Sequence, residues 1–165
     1  MTSSITHLEC TACGDTFSDH DLHTTCPSCA KVLFARYDLD ALRQTLTKVV
    51  MRERPADMWR WRELLPVRDP AHVLTLGEGG TPPLHATRLG RDFGASHVYI
   101  KEEGLNPTGS FKARGLSAAV SKAHELGVRQ VAYSRPQRHL VSVGYGKVLE
   151  PPTLHALVWD LGTGP

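Results

Sequence analysis

Residues 103–115 read Glu-Gly-Leu-Asn-Pro-Thr-Gly-Ser-Phe-Lys-Ala-Arg-Gly and contain the clearest structural signals in the chain. Asn-Pro and Thr-Gly favour a turn, and the hydroxyl of Thr108 or Ser110 can cap a helix that begins there. A strand is predicted over residues 97–101, just before this segment. The segment itself is predicted to contain most of a loop over residues 102–109 and the start of a helix over residues 110–126.

The sequence on either side of this segment extends the same pattern. A loop is predicted over residues 76–83 and a further strand over 128–133, and Gly127 is a typical helix stop. Five apolar residues of the helix share one face: Leu116, Ala119, Val120, Ala123 and Leu126. Strands that alternate with a helix in this way predict an α/β fold with a parallel sheet.

The first turn of this helix has an unusual charge. It contains Lys112 and Arg114 and no carboxylate, although a helix N-terminus is itself partly positive. Two explanations fit: a bound anion, or a lysine that acts as a neutral, nucleophilic amine. On charge alone, an ordinary exposed lysine is the simpler explanation.

All four cysteines lie near the N-terminus, in two Cys-x-x-Cys pairs separated by twelve residues: Cys10, Cys13, Cys26 and Cys29. This spacing matches a zinc ribbon, in which four thiolates surround one structural ion. A redox dithiol or a coincidental spacing is the alternative. His7, His20 and His23 lie nearby and could replace a cysteine, although four cysteines already complete the ligand shell.

Residues 38–54 are predicted to form an amphipathic connecting helix. Asp38 can cap it, Pro55 ends it, and five apolar residues form its stripe: Leu39, Leu42, Leu46, Val49 and Val50. The apolar segment that follows contains Trp59 and Trp61 and is interpreted as a docking surface.

Composition limits the classes of function. With 165 residues, the chain has room for one domain, or for a small module and part of a larger domain. A net charge of +2 gives no broad cationic surface for nucleic acid, and residues 8–30 contain acidic side chains but no Lys or Arg. No apolar run is long enough to cross a membrane, and the N-terminus lacks the features of a signal peptide, so a cytoplasmic location is expected.

The motifs together resemble the threonine synthase family of fold type II pyridoxal-phosphate enzymes. The resemblance rests on residues 105–112, on Leu-Gly-Glu-Gly-Gly-Thr-Pro at 76–82, on Met-Trp-Arg-Trp-Arg-Glu-Leu-Leu at 58–65, and on Tyr-Asp-Leu at 37–39 after the cysteines. It implies that pyridoxal 5'-phosphate is bound and that O-phosphohomoserine and water are converted to threonine and phosphate.

The resemblance also implies roles for individual residues. Lys112 would hold the cofactor covalently and shuttle protons at the substrate carbons. Ser110 and Asn106 would line the lysine loop, which here means residues 102–111 that lead into Lys112. Phe111 would pack beside the cofactor ring or in the core. Residues 78–81 would form a loop near the site.

The family pattern ends after about residue 132. Asn106 is the only asparagine, so the asparagine of a later cofactor-binding loop is missing, and no run of glycines follows Gly80. We therefore expect a zinc ribbon at residues 1–36, a connecting segment at 37–68, a partial cofactor-binding α/β domain at 69–133, and an irregular tail at 134–165. A shifted reading frame would explain the tail, and such a truncated chain should be inactive alone.

Two alternatives remain open from the sequence. One is a non-enzymatic zinc ribbon that associates with other proteins, and the other is a different fold type II enzyme such as threonine dehydratase. In the enzyme hypothesis the partner is a small-molecule substrate. Uncovered strand edges would also favour a homodimer, whereas no nucleic-acid or membrane partner is expected.

Overall fold

The structure is a computed structural model that describes residues 3–128, 130–132 and 158–160. Within these residues the α-helices are α1 (Leu39–Thr45), α2 (Lys48–Arg52), α3 (Thr87–Asp92) and α4 (Lys112–Glu125). The strands are β1 (Ile5–Cys10), β2 (Thr16–Phe17), β3 (Leu33–Tyr37), β4 (Pro83–His85), β5 (Tyr99–Lys101), β6 (Gln130–Ala132) and β7 (Val158–Asp160). Short 3₁₀ segments cover Met58–Leu64, Pro70–His72 and Glu103–Leu105.

The N-terminal sheet has the order β2-β1-β3, and both of its strand pairs are antiparallel. In the register of β1 and β3, Cys10 lies opposite Leu33. Because β1 ends at Cys10 and β3 begins at Leu33, the residues between these strands leave and return at one end of the sheet. The four cysteines all belong to this end.

The strand pairs in the rest of the chain are also antiparallel. Strand β5 pairs with β4, part of which was predicted to be a loop, and β6 pairs with β7. The parallel pairing predicted between residues 97–101 and 128–133 is therefore absent from the described part of the chain. A parallel pair would require α4 to cross over and return the chain to β5. Here each of the two strands has a different antiparallel partner.

The predicted connecting helix is two helices. Helix α1 ends at Thr45, and the Thr47 hydroxyl accepts a hydrogen bond from the Val50 backbone N–H (3.3 Å), so that it caps α2. Of the predicted apolar stripe, Leu42 is buried, whereas Leu39 and Val49 are more than half exposed. A threonine that favours the capping conformation explains why the helix breaks there.

An apolar core joins the middle of the chain to α4. It contains buried Met58, Trp59 and Val67, against which Leu65, Val73 and Ala118 pack. The Trp59 indole N–H donates to the Ser117 hydroxyl (3.2 Å). Trp59 is thus part of this buried core, whereas Trp61 is 46% exposed. The interpretation of the segment as a docking surface stays a prediction.

Helix α4 is close to its predicted range but buries a different face. It ends at Glu125, with Gly127 at φ +75°, so the predicted glycine stop is confirmed. Its buried residues are Ala113, Ser117, Val120 and Ser121, and of the predicted apolar face only Val120 is among them. Hydroxyl groups explain this choice, because Ser117 and Ser121 both bond the Leu74 backbone carbonyl (2.7 and 3.2 Å).

The predicted irregular tail, residues 134–165, lies outside the described residues except for strand β7. In the part of the chain with described structure, no helix is both long enough and apolar enough to span a membrane.

Candidate functional site

The four cysteine thiols form one compact cluster. Their sulfur atoms all lie within 4.8 Å of one another. Individual Sγ–Sγ distances are 3.4 Å for Cys10 and Cys29, 3.6 Å for Cys13 and Cys26, and 3.7 Å for Cys13 and Cys29. Four thiolates bound tetrahedrally at about 2.3 Å from a zinc ion would be about 3.8 Å apart. The cluster therefore fits a tetrahedral ion of this size.

The two Cys-x-x-Cys turns have the same backbone pattern. The Cys10 carbonyl accepts from the Gly14 N–H (3.2 Å), and the Cys26 carbonyl accepts from the Ala30 N–H (2.8 Å). Gly14 and Ala30, each directly after the second cysteine of its pair, have positive φ angles of +79° and +57°. A non-glycine residue in this region is uncommon. The repeated turn aims two sulfur atoms from each pair at a shared point.

The environment of Cys10 favours the ionised form that binds metals. Backbone N–H groups of Cys13 and Ala12 lower the pKa of Cys10 to about 6. Of the nearby histidines, His7 lies 4.0 Å from Glu9 and His20 lies 3.8 Å from Asp19. Among the described residues, the group whose ligand atoms lie close enough together to hold a metal ion consists of the four cysteines.

Lys112 is the first residue of α4 and is exposed. Its Nζ lies 4.9 Å from the centre of the Phe111 ring, and Phe111 is 63% exposed. The Ser110 hydroxyl accepts from the Lys112 backbone N–H (3.3 Å), but the residue at the cap position of α4 is Phe111, so the predicted capping by Thr108 or Ser110 is wrong. No described carboxylate pairs with the Lys112 amine, and none lies in the first turn of α4.

Asn106 faces inward and connects two loops. It is 4% exposed, and its Oδ1 accepts from the Gly79 N–H (3.0 Å). Its Nδ2 donates to the carbonyl and to the carboxylate of Glu103 (2.9 Å each). The Asn106 side chain thus links the lysine loop to the loop that contains Gly79.

The Glu103 carboxylate is the centre of a polar network that reaches α4 through Arg114. Arg114 donates to it through Nε (2.7 Å) and Nη2 (2.8 Å), and the Thr81 hydroxyl donates to it at 2.6 Å. The hydrogen bond from Arg114, followed by that from Thr81, holds the pKa of Glu103 well below its usual range. Arg114 is therefore neutralised by Glu103, whereas the Lys112 amine remains free of a described acidic partner.

The loop at residues 78–81 lies against the lysine loop, as predicted. Glu78 is fully buried, and its carboxylate accepts from the Thr75 hydroxyl (2.5 Å) and the Leu76 N–H (3.1 Å). Its carbonyl accepts from the Met58 N–H (2.7 Å). Glu78 thus fixes the loop by its side chain and its backbone, while Thr81 and Gly79 reach the lysine loop.

Two parts of this arrangement could not be inferred from the sequence. Glu103 and Thr81 are 22 residues apart and match no short periodic pattern. The positive charge in the first turn of the helix made Arg114 notable in the sequence. Its partner, Glu103, is determined by the path of the lysine loop. The sequence singled out Lys112, Asn106, Ser110 and Phe111 as site residues. In the structure Asn106 is buried, whereas Lys112 and Phe111 are exposed at the start of α4, and their shared role in a cofactor site stays a prediction.

Comparison with known proteins adds a family match. Residues 74–146 match the model of the pyridoxal-phosphate-dependent enzyme family, and this range includes Asn106 and Lys112. It also includes the first residues of the predicted tail. No solved structure matches the chain.

Several curated threonine synthases are similar to the chain. It is 38% identical over 122 residues to that of Methanocaldococcus jannaschii, which is 74% of this chain and 30% of that protein. It is 39% identical over 127 residues to that of Methanosarcina acetivorans, again 30% of that protein. For the Halalkalibacterium halodurans protein, identity is 48% over 71 residues, or 20% of its length. The chain thus spans less than a third of these relatives.

Proposed function

Because the chain is a partial relative of the threonine synthases among pyridoxal-phosphate-dependent enzymes, we propose that it is part of such an enzyme and binds the cofactor through Lys112. The proposed reaction is the conversion of O-phosphohomoserine and water to threonine and phosphate. The relatives are more than three times longer than the matched region, so we propose that the chain alone is inactive.

The observation that carries this proposal is the unpaired Lys112 amine at the start of α4. The positive end of a 14-residue helix can attract an anionic group, such as a phosphate, to the same place. No described carboxylate occupies the Lys112 amine, so the amine is available to react with a carbonyl group. Glu103, the carboxylate of the polar network that includes Arg114 of the same helix, is engaged by Arg114.

In this proposal each residue of the loop has a physical task. Pyridoxal phosphate, when bound, supplies an electron sink for charge that develops at the substrate carbons. The Lys112 amine binds the cofactor and, when released, accepts and donates protons at those carbons. Phe111 offers an apolar ring face and Ser110 offers a hydroxyl. Asn106 holds the loop in position through its hydrogen bonds to Gly79 and Glu103.

We also propose that the cysteine cluster is a structural zinc site, and that residues 1–36 form a zinc ribbon next to the connecting segment 37–68 and the partial cofactor-binding domain 69–133. The sulfur distances and the two matching turns support a closed tetrahedral site. Four thiolates leave no open position for a reacting molecule, which argues for a structural ion.

The cofactor proposal is tested by chemical trapping on the full 165-residue chain. The protein is mixed with pyridoxal phosphate, reduced with borohydride, digested and mapped by mass spectrometry. We expect the label on the peptide that contains Lys112 and its loss in Lys112→Ala. Lys48→Ala is the matched control, since Lys48 is also an exposed lysine at the first position of a helix.

The outcome separates the proposed enzyme from its alternative. A label on other lysines only, or equal labelling of wild type and Lys112→Ala, contradicts the cofactor role of Lys112. Bound zinc without any label at Lys112 would instead support a zinc-binding association module.

A further inference from the structure

Asp19 is a buried carboxylate that neither the metal cluster nor the lysine loop uses. It lies between the two cysteine pairs, and its side chain is only 3% exposed. An ionised carboxylate is buried at this level only when cations or N–H groups compensate it. Its partners therefore indicate what it does.

Those partners belong to the other parts of the chain. Arg68 donates to both oxygens of Asp19, with Nε–Oδ2 and Nη2–Oδ1 distances of 3.0 Å. The same Nη2 also donates to the Ile5 carbonyl (2.7 Å). The bidentate pair thus joins the loop between the cysteines to the segment that follows the apolar core.

Asp19 also reaches α4 by two routes. Lys122, in the third turn of α4, places its Nζ 3.4 Å from Asp19 Oδ2. Indirectly, the backbone N–H groups of Arg68 and Asp69 donate to Glu125 of α4 (2.7 and 2.8 Å). The Lys122 amine also donates to Glu125 (2.8 Å), which closes the network. Charged hydrogen bonds thus hold this network at Asp19 in the cysteine region and at Glu125 in α4.

The cysteine region has little apolar core of its own to fix the loop that carries Asp19. Its buried apolar residues, within residues 3–37, are Ile5, Cys10 and Cys26, and two of these three belong to the metal cluster. Cys13 and Cys26 flank the loop on its two sides. A bound ion would therefore supply the cross-link that orders both ends of the loop.

We propose that Asp19 is a positioning residue that couples metal binding at the four cysteines to the order of α4, whose first residue is Lys112. This inference rests on the proposed metal site and extends it. The metal fixes the loop, the loop presents Asp19, and Asp19 anchors α4 through Lys122 and through Arg68 and Glu125.

The test measures amide hydrogen exchange of residues 112–125 in the full chain, with zinc bound and after chelation under reducing conditions. In wild type, zinc removal should speed exchange of α4 about tenfold. Zinc-bound Asp19→Asn should exchange α4 at a similarly raised rate, and chelation should then add little. Asp21→Asn removes an exposed charge from the same loop and should behave as wild type.

Zinc content, measured on each sample, separates this inference from the metal site. Wild-type protein that binds no zinc would overturn the metal site and the coupling together. Zinc-bound protein in which Asp19→Asn leaves α4 exchange unchanged, or in which chelation speeds α4 equally with and without Asp19, would overturn the coupling alone. If Asp19→Asn does not fold, Lys122→Gln removes the direct contact to α4 and should raise the zinc-bound exchange rate of α4, and an unchanged rate would overturn the proposal.

Discussion

The Glu103 carboxylate accepts hydrogen bonds from the side chains of Arg114, Thr81 and Asn106. Arg114 lies in α4, Thr81 lies in the loop at residues 78–81, and Asn106 lies in the lysine loop itself. A single carboxylate therefore fixes the relative position of the segments around Lys112. Charged hydrogen bonds of this kind are stronger than neutral ones.

Glu103→Gln should lower the thermal unfolding midpoint at neutral pH by several degrees, because Gln cannot pair with both Arg114 nitrogens as an anion does. The matched control is Glu102→Gln. The Glu102 carboxylate accepts from the Gly104 N–H (2.8 Å), and a Gln oxygen can keep that bond. Equal midpoints for the two variants would contradict the central role of Glu103.

The effect of Glu103→Gln should also depend on pH. The hydrogen bond from Arg114 lowers the pKa of Glu103 in the folded protein from its ordinary value of 4.5. The stability that this carboxylate contributes is therefore complete above 4.5 and is lost as the pH falls through the lower folded value. Unfolding curves of wild type and variant should converge in acid, and a constant difference down to that range would contradict this assignment.

At the scale of elements, the loop at residues 75–81 is held by a close approach of two backbones. Gly79 has φ +104°, and a Cβ built on it would lie 2.4 Å from the Met58 backbone nitrogen. That nitrogen already donates to the Glu78 carbonyl (2.7 Å). Glycine is therefore required at this position both by its conformation and by the space available.

Gly79→Ala should destabilise the protein by more than about 3 kcal/mol, because the clash adds to the cost of a positive φ. Gly77→Ala is the matched control. Gly77 also has a positive φ (+86°), but no atom lies within 4 Å of its Cβ position, so about 1 kcal/mol is expected. Denaturant unfolding would measure both, and equal losses would show that the contact with Met58 does not matter.

The same scale shows which elements the sequence could predict. Helix α4 was predicted to within two residues at its start and one at its end, because the turn residues before it and Gly127 after it act locally. The helix over residues 38–54 was predicted as one element because its apolar spacing continues through Leu46. Thr47 favours the capping conformation, and its side chain caps α2. The predicted single helix is therefore divided into α1 and α2.

For the whole molecule, the core around Trp59 joins α4 to the middle of the chain. Trp59 packs with Met58 and Val67 and donates to Ser117, which lies 58 residues away. Charged and hydroxyl groups of α4 also contact Asp19, Arg68, Asp69 and Leu74, and Arg114 of α4 contacts Glu103 and Thr81. Burial of Trp59 therefore contributes to the docking of α4 through this core and through the bond to Ser117.

Trp59→Phe should destabilise the protein by about 2 kcal/mol, since it loses the hydrogen bond to Ser117 and leaves space in the core. Trp61→Phe, on the same 3₁₀ segment but 46% exposed, should change the free energy of unfolding by no more than about 0.5 kcal/mol. Chemical denaturation followed by far-UV circular dichroism measures both without relying on tryptophan fluorescence. Similar losses for the two variants would contradict the proposed core.

The sequence by itself determined the family resemblance, the four-cysteine spacing and the limits of α4. These depend on residue identity and on contacts between near neighbours in the chain. The similarity to threonine synthases confirms the family resemblance. Tertiary structure alone decided the antiparallel strand pairs, the buried serine face of α4, and the bonds of Glu103 and Asp19. Such features join residues up to 103 positions apart, and only the folded path of the chain determines which distant donor meets which acceptor.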